Sequence, residues 1–578
     1  MKNDNMKIEW RRVLIAAVLF VIVLFFACAV RMPDLSLLQG ADGNDVWVDD
    51  SNLPYFLDPD SAFYVRVSKE IAETGQYGTA DPETGQLIDT LRYAPDGTSV
   101  NGNNMLPKTA AFIWKVMNVF GKVDIQFVDF YFVFFFLLLT IPAAWILTQK
   151  AYLAVSGDKK DGTIIAGAVG ALLVTCAPAF VSRTLAGMFD TDIVHSFFVL
   201  LLMLFMTEMM LQASLRKGIL LAICFGVTAL LYNAYWIHSA LVFVAVAAAG
   251  GGVYVLSRLL MPAGKTVGAA GSADSTEKAN TTKPTGRFRR WLSAAPVQIY
   301  LAIAALAGIF VATPFGRPML NSLLGKVVGY STADVNEISG NNSILELRAP
   351  DFGPEKFYNW FLADISDKST TIVNGVGGLL VLIFAFVSMC YIVYRVARMR
   401  KEGTDTNRVM VYLSVIGTWL IACFFMTRVG IRMVQFFAFP CAVLVGILAG
   451  VLFNKYITDK GNVSGKEAVR NTVFNVAICA AVVLALIGSF LWGREIRSMM
   501  SDSLVHSMEW VKENAGTEDA VVLSWWDYGY YYELESGHPA LWDGGTGTAK
   551  RLNIVGRILS TDDPKLSYSL IKMISTSG

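Results

Sequence analysis

Four short stretches hold the residues able to do chemistry. LDPDSAFYVR (Leu57 to Arg66), SRTLAGMFDTD (Ser182 to Asp192) and NSILELRAPDFG (Asn342 to Gly353) each carry carboxylates, and SWWDYGYYYE (Ser524 to Glu533) sets two tryptophans and an aspartate beside a run of tyrosines. Carboxylates from several separate segments suit a hard divalent cation such as Mg²⁺ or Mn²⁺, which takes oxygen ligands and is often completed by a substrate phosphate. In Asp-Thr-Asp, the spacing lets Asp190 and Asp192 face one ion just ahead of a helix, with Arg183 seven residues before Asp190. The competing reading is a helix N-cap followed by a solvated acid. In the first stretch Asp60 is the stronger candidate, while Asp58 shapes the turn with Pro59. Glu337 and Glu346 compete for a fourth ligand position. His195 is either a further ligand or a hydrogen-bonded helix-start imidazole. Trp525, Trp526 and Tyr528, Tyr530, Tyr531 and Tyr532 could also form an interfacial aromatic belt.

The elements that must position these residues cross a membrane. Of 578 residues, 54% are hydrophobic and 16% charged, against about a quarter charged in soluble domains. Eleven apolar blocks are long enough to span, near 12–31, 126–147, 162–180, 192–212, 217–232, 236–256, 296–313, 371–395, 409–427, 431–453 and 473–492. An odd count puts the two ends of the chain on opposite faces. Lys2, Lys7, Arg11 and Arg12 place the N-terminus inside, and the Lys/Arg-rich loops at 157–162, 215–218, 257–293, 395–408 and 454–470 then fall inside as well. The outside receives 32–125, the short turn near 181–191, 314–370 and everything after 493, so every acidic stretch and WWD share one face. The Ala-Cys-Ala at 27–29 resembles a signal-peptide cleavage site, but its apolar core is long for one, and later topology is unchanged either way. The expected organisation is a transmembrane catalytic domain over 1–493, with external loops 32–125 and 314–370. After it, 494–578 begin an extracytoplasmic α/β domain: 504–516 reads as an amphipathic helix, and 519–526 as a buried strand that presents WWD. The segment 262–288 reads as a linker. A net charge of +1 makes no case for nucleic acid, and the seven cysteines lie in apolar blocks without metal spacing.

At WWDYG (Trp525 to Gly529) the chain resembles the catalytic subunit of oligosaccharyltransferase, of the bacterial and archaeal single-chain type. LDPDSAFYVR resembles that family's first acidic motif, with Asp60 six residues before Arg66, and RTLAGMFDTD its second. SILELRAP is similar to its S-V-x-E-x-x-P loop and favours Glu346 over Glu337. VGIRM (429–433) is similar to its Gly-x-Arg at a span mouth, and LWDGGTGTAKR (541–551) to a D-G-G segment. The resemblance implies a polytopic glycosyltransferase that moves an oligosaccharide from a polyprenyl-pyrophosphate donor to the Asn side chain of N-x-S/T sequons on secreted or membrane polypeptides. It implies Mn²⁺ or Mg²⁺ held by Asp60, Asp190, Asp192 and Glu346, with Asp60 and Glu346 also engaging the acceptor amide. Trp525, Trp526 and Asp527 would read the acceptor hydroxyl, Arg432 and Tyr530 would meet the donor pyrophosphate, and Arg183 would support the ligands. The implied setting is a single-subunit protein of the cell (inner) membrane with its site on the periplasmic or extracellular face.

The sequence departs from this family in three ways. Members carry thirteen spans, and eleven are read here. Members continue into a larger globular domain, whereas this sequence stops at Gly578, so a fragment is expected. Finally, 355–366 lacks the arginine by which some bacterial members require an acidic residue before the acceptor Asn, so no such requirement is expected. Of the sequons at Asn280, Asn341 and Asn462, only Asn341 would face outward. Rival readings are another lipid-dependent glycosyltransferase such as a protein O-mannosyltransferase, a secondary transporter, or a cation-binding receptor. A transporter would place ionisable groups at mid-membrane on broken helices, whereas here the carboxylates lie in loops.

Overall fold

The computed structural model describes residues 2–33, 53–100, 105–236, 240–260, 291–292, 294–312, 317, 349–355, 371–458, 465–496, 498–516, 520–545 and 549–577. Glu337, Glu346, Asn280, Asn341 and Asn462 lie outside them, as do all of 355–366 but Glu355 and the whole 262–288 linker. Among the described residues nine helices are long and apolar enough to cross a bilayer: Trp10–Ala29, Ile125–Ser156, Asp192–Leu211, Leu215–Tyr235, Ala240–Leu260, Leu379–Lys401, Asn407–Val429, Ile431–Lys455 and Val469–Arg494. Two shorter apolar helices, Thr163–Thr175 and Ala295–Ala305, join them. Every apolar block of the sequence therefore falls on a helix, as an unpaired backbone in hydrocarbon requires.

The Ile431–Lys455 helix forms the centre of the bundle, while Trp10–Ala29 turns Leu14, Val18, Val21 and Phe25 outward. The central helix meets Thr163–Thr175 through glycines. A Cβ on Gly162 would lie 2.0 Å from the Gly450 carbonyl oxygen, and one on Gly446 would lie 2.7 Å from that of Ala166. Between helices in lipid there is little hydrophobic drive, so small residues that let backbones approach supply the packing.

The elements between and after the spans begin with the Pro59–Thr74 helix. Asp58 caps its N-terminus by accepting from the Ser61 amide, Pro59 occupies its first turn, and Gly75 (φ 87°) closes it. An antiparallel sheet follows, β1 (Thr79–Ala80), β2 (Leu87–Asp89) and β3 (Thr98–Ser99), in the order β1-β2-β3, with Thr79 opposite Ile88 and Ile88 opposite Ser99. After the last span come the helices Asp502–Asn514, Trp526–Glu535, Ala549–Ser560 and Pro564–Ser577. The first matches the helix expected at 504–516. The strand expected at 519–526 is realised as one parallel bridge, Val522 to Ala540, because among the described residues only 539–541 runs alongside to pair with it.

Candidate active site

The turn before Asp190 is held by backbone rather than by side-chain bulk. The Gly187 amide donates to the Phe130 carbonyl (2.9 Å), the Leu57 amide to the Gly187 carbonyl (3.0 Å), and the Ala186 amide to the Arg31 carbonyl (3.0 Å). Gly187 has φ 87°, and a Cβ there would lie 2.7 Å from the Phe130 ring. The Phe189 amide donates to Ser61 Oγ (2.8 Å), which itself donates to Asp58 Oδ1 (2.8 Å). The cap of the first-loop helix and the Asp-Thr-Asp turn are thus one hydrogen-bonded unit. Arg31, fully buried, fastens the turn from behind: its guanidinium donates to Thr184 Oγ1 (3.1 Å) and to the carbonyls of Ala27 (2.9 Å) and Thr175 (2.8 Å). Those two carbonyls lie near helix C-termini, where backbone acceptors lack intrahelical donors.

This unit brings Asp58, Asp190 and Asp192 together with two arginines. Arg183 Nε donates to Asp192 Oδ2. Arg432 Nη2 lies 3.3 Å from both Asp190 Oδ2 and Asp192 Oδ1. Gln435 Nε2 donates to Asp192 Oδ1 (3.1 Å), and Asp190 Oδ1 accepts from the Thr191 amide and hydroxyl. The His195 ring is buried. Its Nδ1 is 3.0 Å from the Tyr232 hydroxyl, and its Nε2 is 3.0 Å from Asp192 Oδ1 yet makes no well-directed hydrogen bond. Burial raises the Asp190 carboxyl above the ordinary carboxylate range, and Asp192 raises it further against the pull of Arg432 and Arg183. Burial and then the neighbouring Asp190 raise Asp58 as well. Three carboxylates thus face two guanidinium groups.

A divalent cation suits this setting. It would relieve the crowding of Asp58 and Asp190, its preferred ligands are the oxygens on offer, and the under-bonded His195 Nε2 stands beside Asp192. Among the described residues, no three carboxylate, imidazole or thiol groups converge closely enough to cage an ion by themselves. Of the sequence candidates, Asp190, Asp192, Arg183 and Arg432 meet here. Asp58, read as a turn former, caps the helix and also stands beside Asp190. Asp60 is exposed at the start of the same helix.

The WWD segment is docked on that helix. Phe63 and Tyr530 lie 5.1 Å apart, and the Tyr531 hydroxyl donates to the Phe56 carbonyl (3.3 Å). Arg66, buried, pairs with Asp89 and with Glu533 Oε2 (3.3 Å). Arg92 donates to Asp543 Oδ1 (3.0 Å) and to the Tyr530 hydroxyl (3.2 Å). The partners found for Tyr530 are therefore Arg92 and Phe63. Gly529 has a structural reason: its Cβ would lie 2.3 Å from the Trp542 carbonyl oxygen. Trp525 meets Trp542 edge-on at 5.1 Å. Trp525, Trp526 and Asp527 stay partly accessible at the N-terminus of their helix, and burial raises the Asp527 carboxyl. Sequence reasoning missed Arg31, Asp89, Arg92, Gln435 and Glu533. Arg92, Gln435 and Glu533 lie hundreds of residues from their partners, Arg31 lies 144 from Thr175 and Asp89 lies 23 from Arg66, and no local spacing announces any of them.

Fold and site define a multispan membrane protein that gathers carboxylates and arginines at one mouth of its bundle and packs a Trp-Trp-Asp helix beside them. The family model described as Oligosaccharyl transferase STT3, N-terminal, matches residues 19–492, and one described as the STT3/PglB/AglB core domain matches 518–577. The chain belongs to the STT3 oligosaccharyl transferase family. It is 20% identical, over 98% of its length, to a dolichyl-phosphooligosaccharide-protein glycotransferase of Methanococcus voltae, and spans 66% of that relative. It is 22% identical to the one of Methanocaldococcus jannaschii, over 48% of this chain and 35% of that protein. The archaeal oligosaccharyltransferase AglB of Archaeoglobus fulgidus, solved with an inhibitory peptide and a dolichol-phosphate, shares the fold. Its TM-score is 0.67 at 14% identity, covering 98% of this chain and 69% of that one. Structures of the Archaeoglobus fulgidus enzyme also exist tethered to an acceptor peptide with an NVT sequon, and with Zn and sulfate.

Proposed function

We propose that this chain transfers an oligosaccharide en bloc from a polyprenyl-pyrophosphate donor to the Asn side chain of N-x-S/T sequons, at the extracytoplasmic face and with a divalent cation, Mn²⁺ or Mg²⁺. The observation that carries the reading is the docking of the WWD helix on the Pro59–Thr74 helix, whose own cap is bonded to the Asp-Thr-Asp turn. One rigid element thereby joins a candidate hydroxyl reader to a cluster of carboxylates. The dolichol-phosphate and sequon peptide seen with the Archaeoglobus fulgidus enzyme support the same pairing of lipid donor and peptide acceptor.

In this reading Asp190 and Asp192, with a first-loop carboxylate and Glu346, hold the cation, which supplies Lewis acidity to the pyrophosphate leaving group. Asp58 is the first-loop carboxylate beside Asp190, so it joins Asp60 as a candidate for that role. Arg432, partly exposed and held to both aspartates by long contacts, neutralises charge on the departing pyrophosphate. Asp60 and Glu346 accept hydrogen bonds from the acceptor amide N–H groups and weaken the conjugation that makes that nitrogen a poor nucleophile. Asp527 accepts from the Ser or Thr hydroxyl while the Trp525 and Trp526 indoles donate to it and exclude water. A site built to bond a hydroxyl rejects an analogue lacking it, because its own polar groups are left unpaired.

The test is a gel shift. The purified chain is mixed with polyprenyl-pyrophosphate oligosaccharide, Mn²⁺ and a fluorescent N-x-T peptide, with Q-x-T and N-x-V controls. Transfer to N-x-T alone, abolished by chelation and by Asp190→Asn, supports the proposal. If several donors and a longer C-terminal version of the chain also gave no shift, the transferase reading would fall.

A further inference from the structure

A cavity of about 290 Å³ opens at the Lys- and Arg-rich end of the bundle, remote from the carboxylate cluster. It lies between the ends of the Phe132–Ser156, Leu379–Lys401 and Val434–Thr458 helices, and Lys159, Arg395 and Lys455 line it together with Tyr391, Val451 and Asn454. Among the described residues no carboxylate lines it. The neighbouring acids are already engaged: both Asp158 oxygens accept from Arg408 at 2.8 Å, Asp161 pairs with Arg12 at 2.9 Å, and Glu402 with Arg398 at 2.7 Å. Among the described residues, Lys159, Arg395 and Lys455 have no carboxylate partner. Arg395 is held in place by donating Nε to the Val155 carbonyl (3.1 Å), at the end of a helix whose last carbonyls want a donor. Three cations around one recess, one of them anchored by the Val155 carbonyl, with the Tyr391 phenol between them, match the oxygens of a phosphate group.

We propose that this recess binds the phosphate of an anionic phospholipid headgroup from the inner leaflet. Its volume lies at the small end of ligand pockets, which run from about 300 Å³, so it suits a headgroup rather than a whole lipid. The tails have somewhere to lie: just beyond Arg395 the Leu379–Lys401 helix turns Ile383, Phe386, Val393 and Tyr394 outward. Basic pockets between membrane helices on the Lys/Arg-rich side hold such headgroups in general. This assignment is independent of what the opposite mouth of the bundle catalyses.

The test is native mass spectrometry of the full chain in detergent, titrated with phosphatidylglycerol or phosphatidylcholine, for the wild type and for Lys159→Gln/Lys455→Gln. Both lysines sit at the rim, and Arg395→Lys provides a second variant should the double substitution fold poorly. The expected result is saturable retention of phosphatidylglycerol over phosphatidylcholine, weakened about tenfold in the double variant at low salt. Equal retention of the two lipids, or equal retention by wild type and both variants, would overturn the proposal. Glycerol 1-phosphate forms the third arm: full displacement of the lipid by it at equal concentration would make the ligand a soluble phosphate and overturn the lipid assignment.

Discussion

At the scale of single residues, the cluster around Asp192 is set by competition between carboxylates and guanidinium groups. Arg183 satisfies one Asp192 oxygen while Arg432, Gln435 and His195 crowd the other. Arg183→Gln frees Asp192 to turn. Partners that orient a metal ligand are worth about 10–100-fold in affinity or activity, so this variant is expected to need correspondingly more Mn²⁺ for half-maximal transfer. A Mn²⁺ titration of the gel shift checks this, and an unchanged midpoint would mean that Arg183 serves only the fold. Gly529 is a different kind of residue, since a methyl there would enter the Trp542 carbonyl. Gly529→Ala is expected to cost about 1–3 kcal/mol, the range for forced overpacking, and to loosen the Trp525–Trp542 contact. Thermal unfolding followed by tryptophan fluorescence would show both. WWD and Asp-Thr-Asp were legible as motifs because a few residues of unusual type sit side by side. The role of Asp58 beside Asp190 was not, because it depends on where a distant turn arrives.

At the scale of elements, the buried Arg66 guanidinium of the Pro59–Thr74 helix pairs with Asp89 and also meets Glu533 of the Trp526–Glu535 helix. Removing Arg66 leaves the buried Asp89 carboxylate without its guanidinium, at about 3–5 kcal/mol, and takes away the contact to Glu533, so Arg66→Met is expected to detach the WWD helix and raise the acceptor KM more than it lowers kcat. Steady-state kinetics over a peptide series separates the two. Glu533 adds a pH signature. Burial holds its carboxyl well above the ordinary value near 4.5 despite Arg66 beside it. The folded chain therefore keeps a proton that the unfolded chain has released, and its contribution to stability falls as pH rises from 4.5 through the folded value. Glu533→Gln removes that slope, so the melting temperature of the wild type relative to the variant should be higher at pH 5 than at pH 8. A pH-independent difference would show that Glu533 stays ionised in the folded protein. The glycine seam between Thr163–Thr175 and the central helix was legible only as glycines in apolar blocks; their pairing came from the packing.

At the scale of the whole molecule, the proposed topology puts the basic loops and the carboxylates on opposite faces of the membrane. In a cysteine-free background, Thr404→Cys and Asn514→Cys, both exposed, are expected to react with a membrane-impermeant maleimide from opposite faces. Labelling of both from one face would remove the topology on which the placement of donor and acceptor rests. The sequence by itself determined the membrane class, the eleven helical blocks, the uneven spread of Lys and Arg among the loops and the motifs that mark the family. Those are properties of composition and short-range period, which a bilayer reads directly. Only the tertiary structure decided that Ser61 bridges Asp58 to the Phe189 amide, that Arg31 fastens the turn from behind, and that Glu533 answers Arg66 and Asp543 answers Arg92. Such contacts join residues as many as 467 positions apart in the chain. Nothing local specifies them; they exist because burying a charge is tolerable only where the fold delivers its partner.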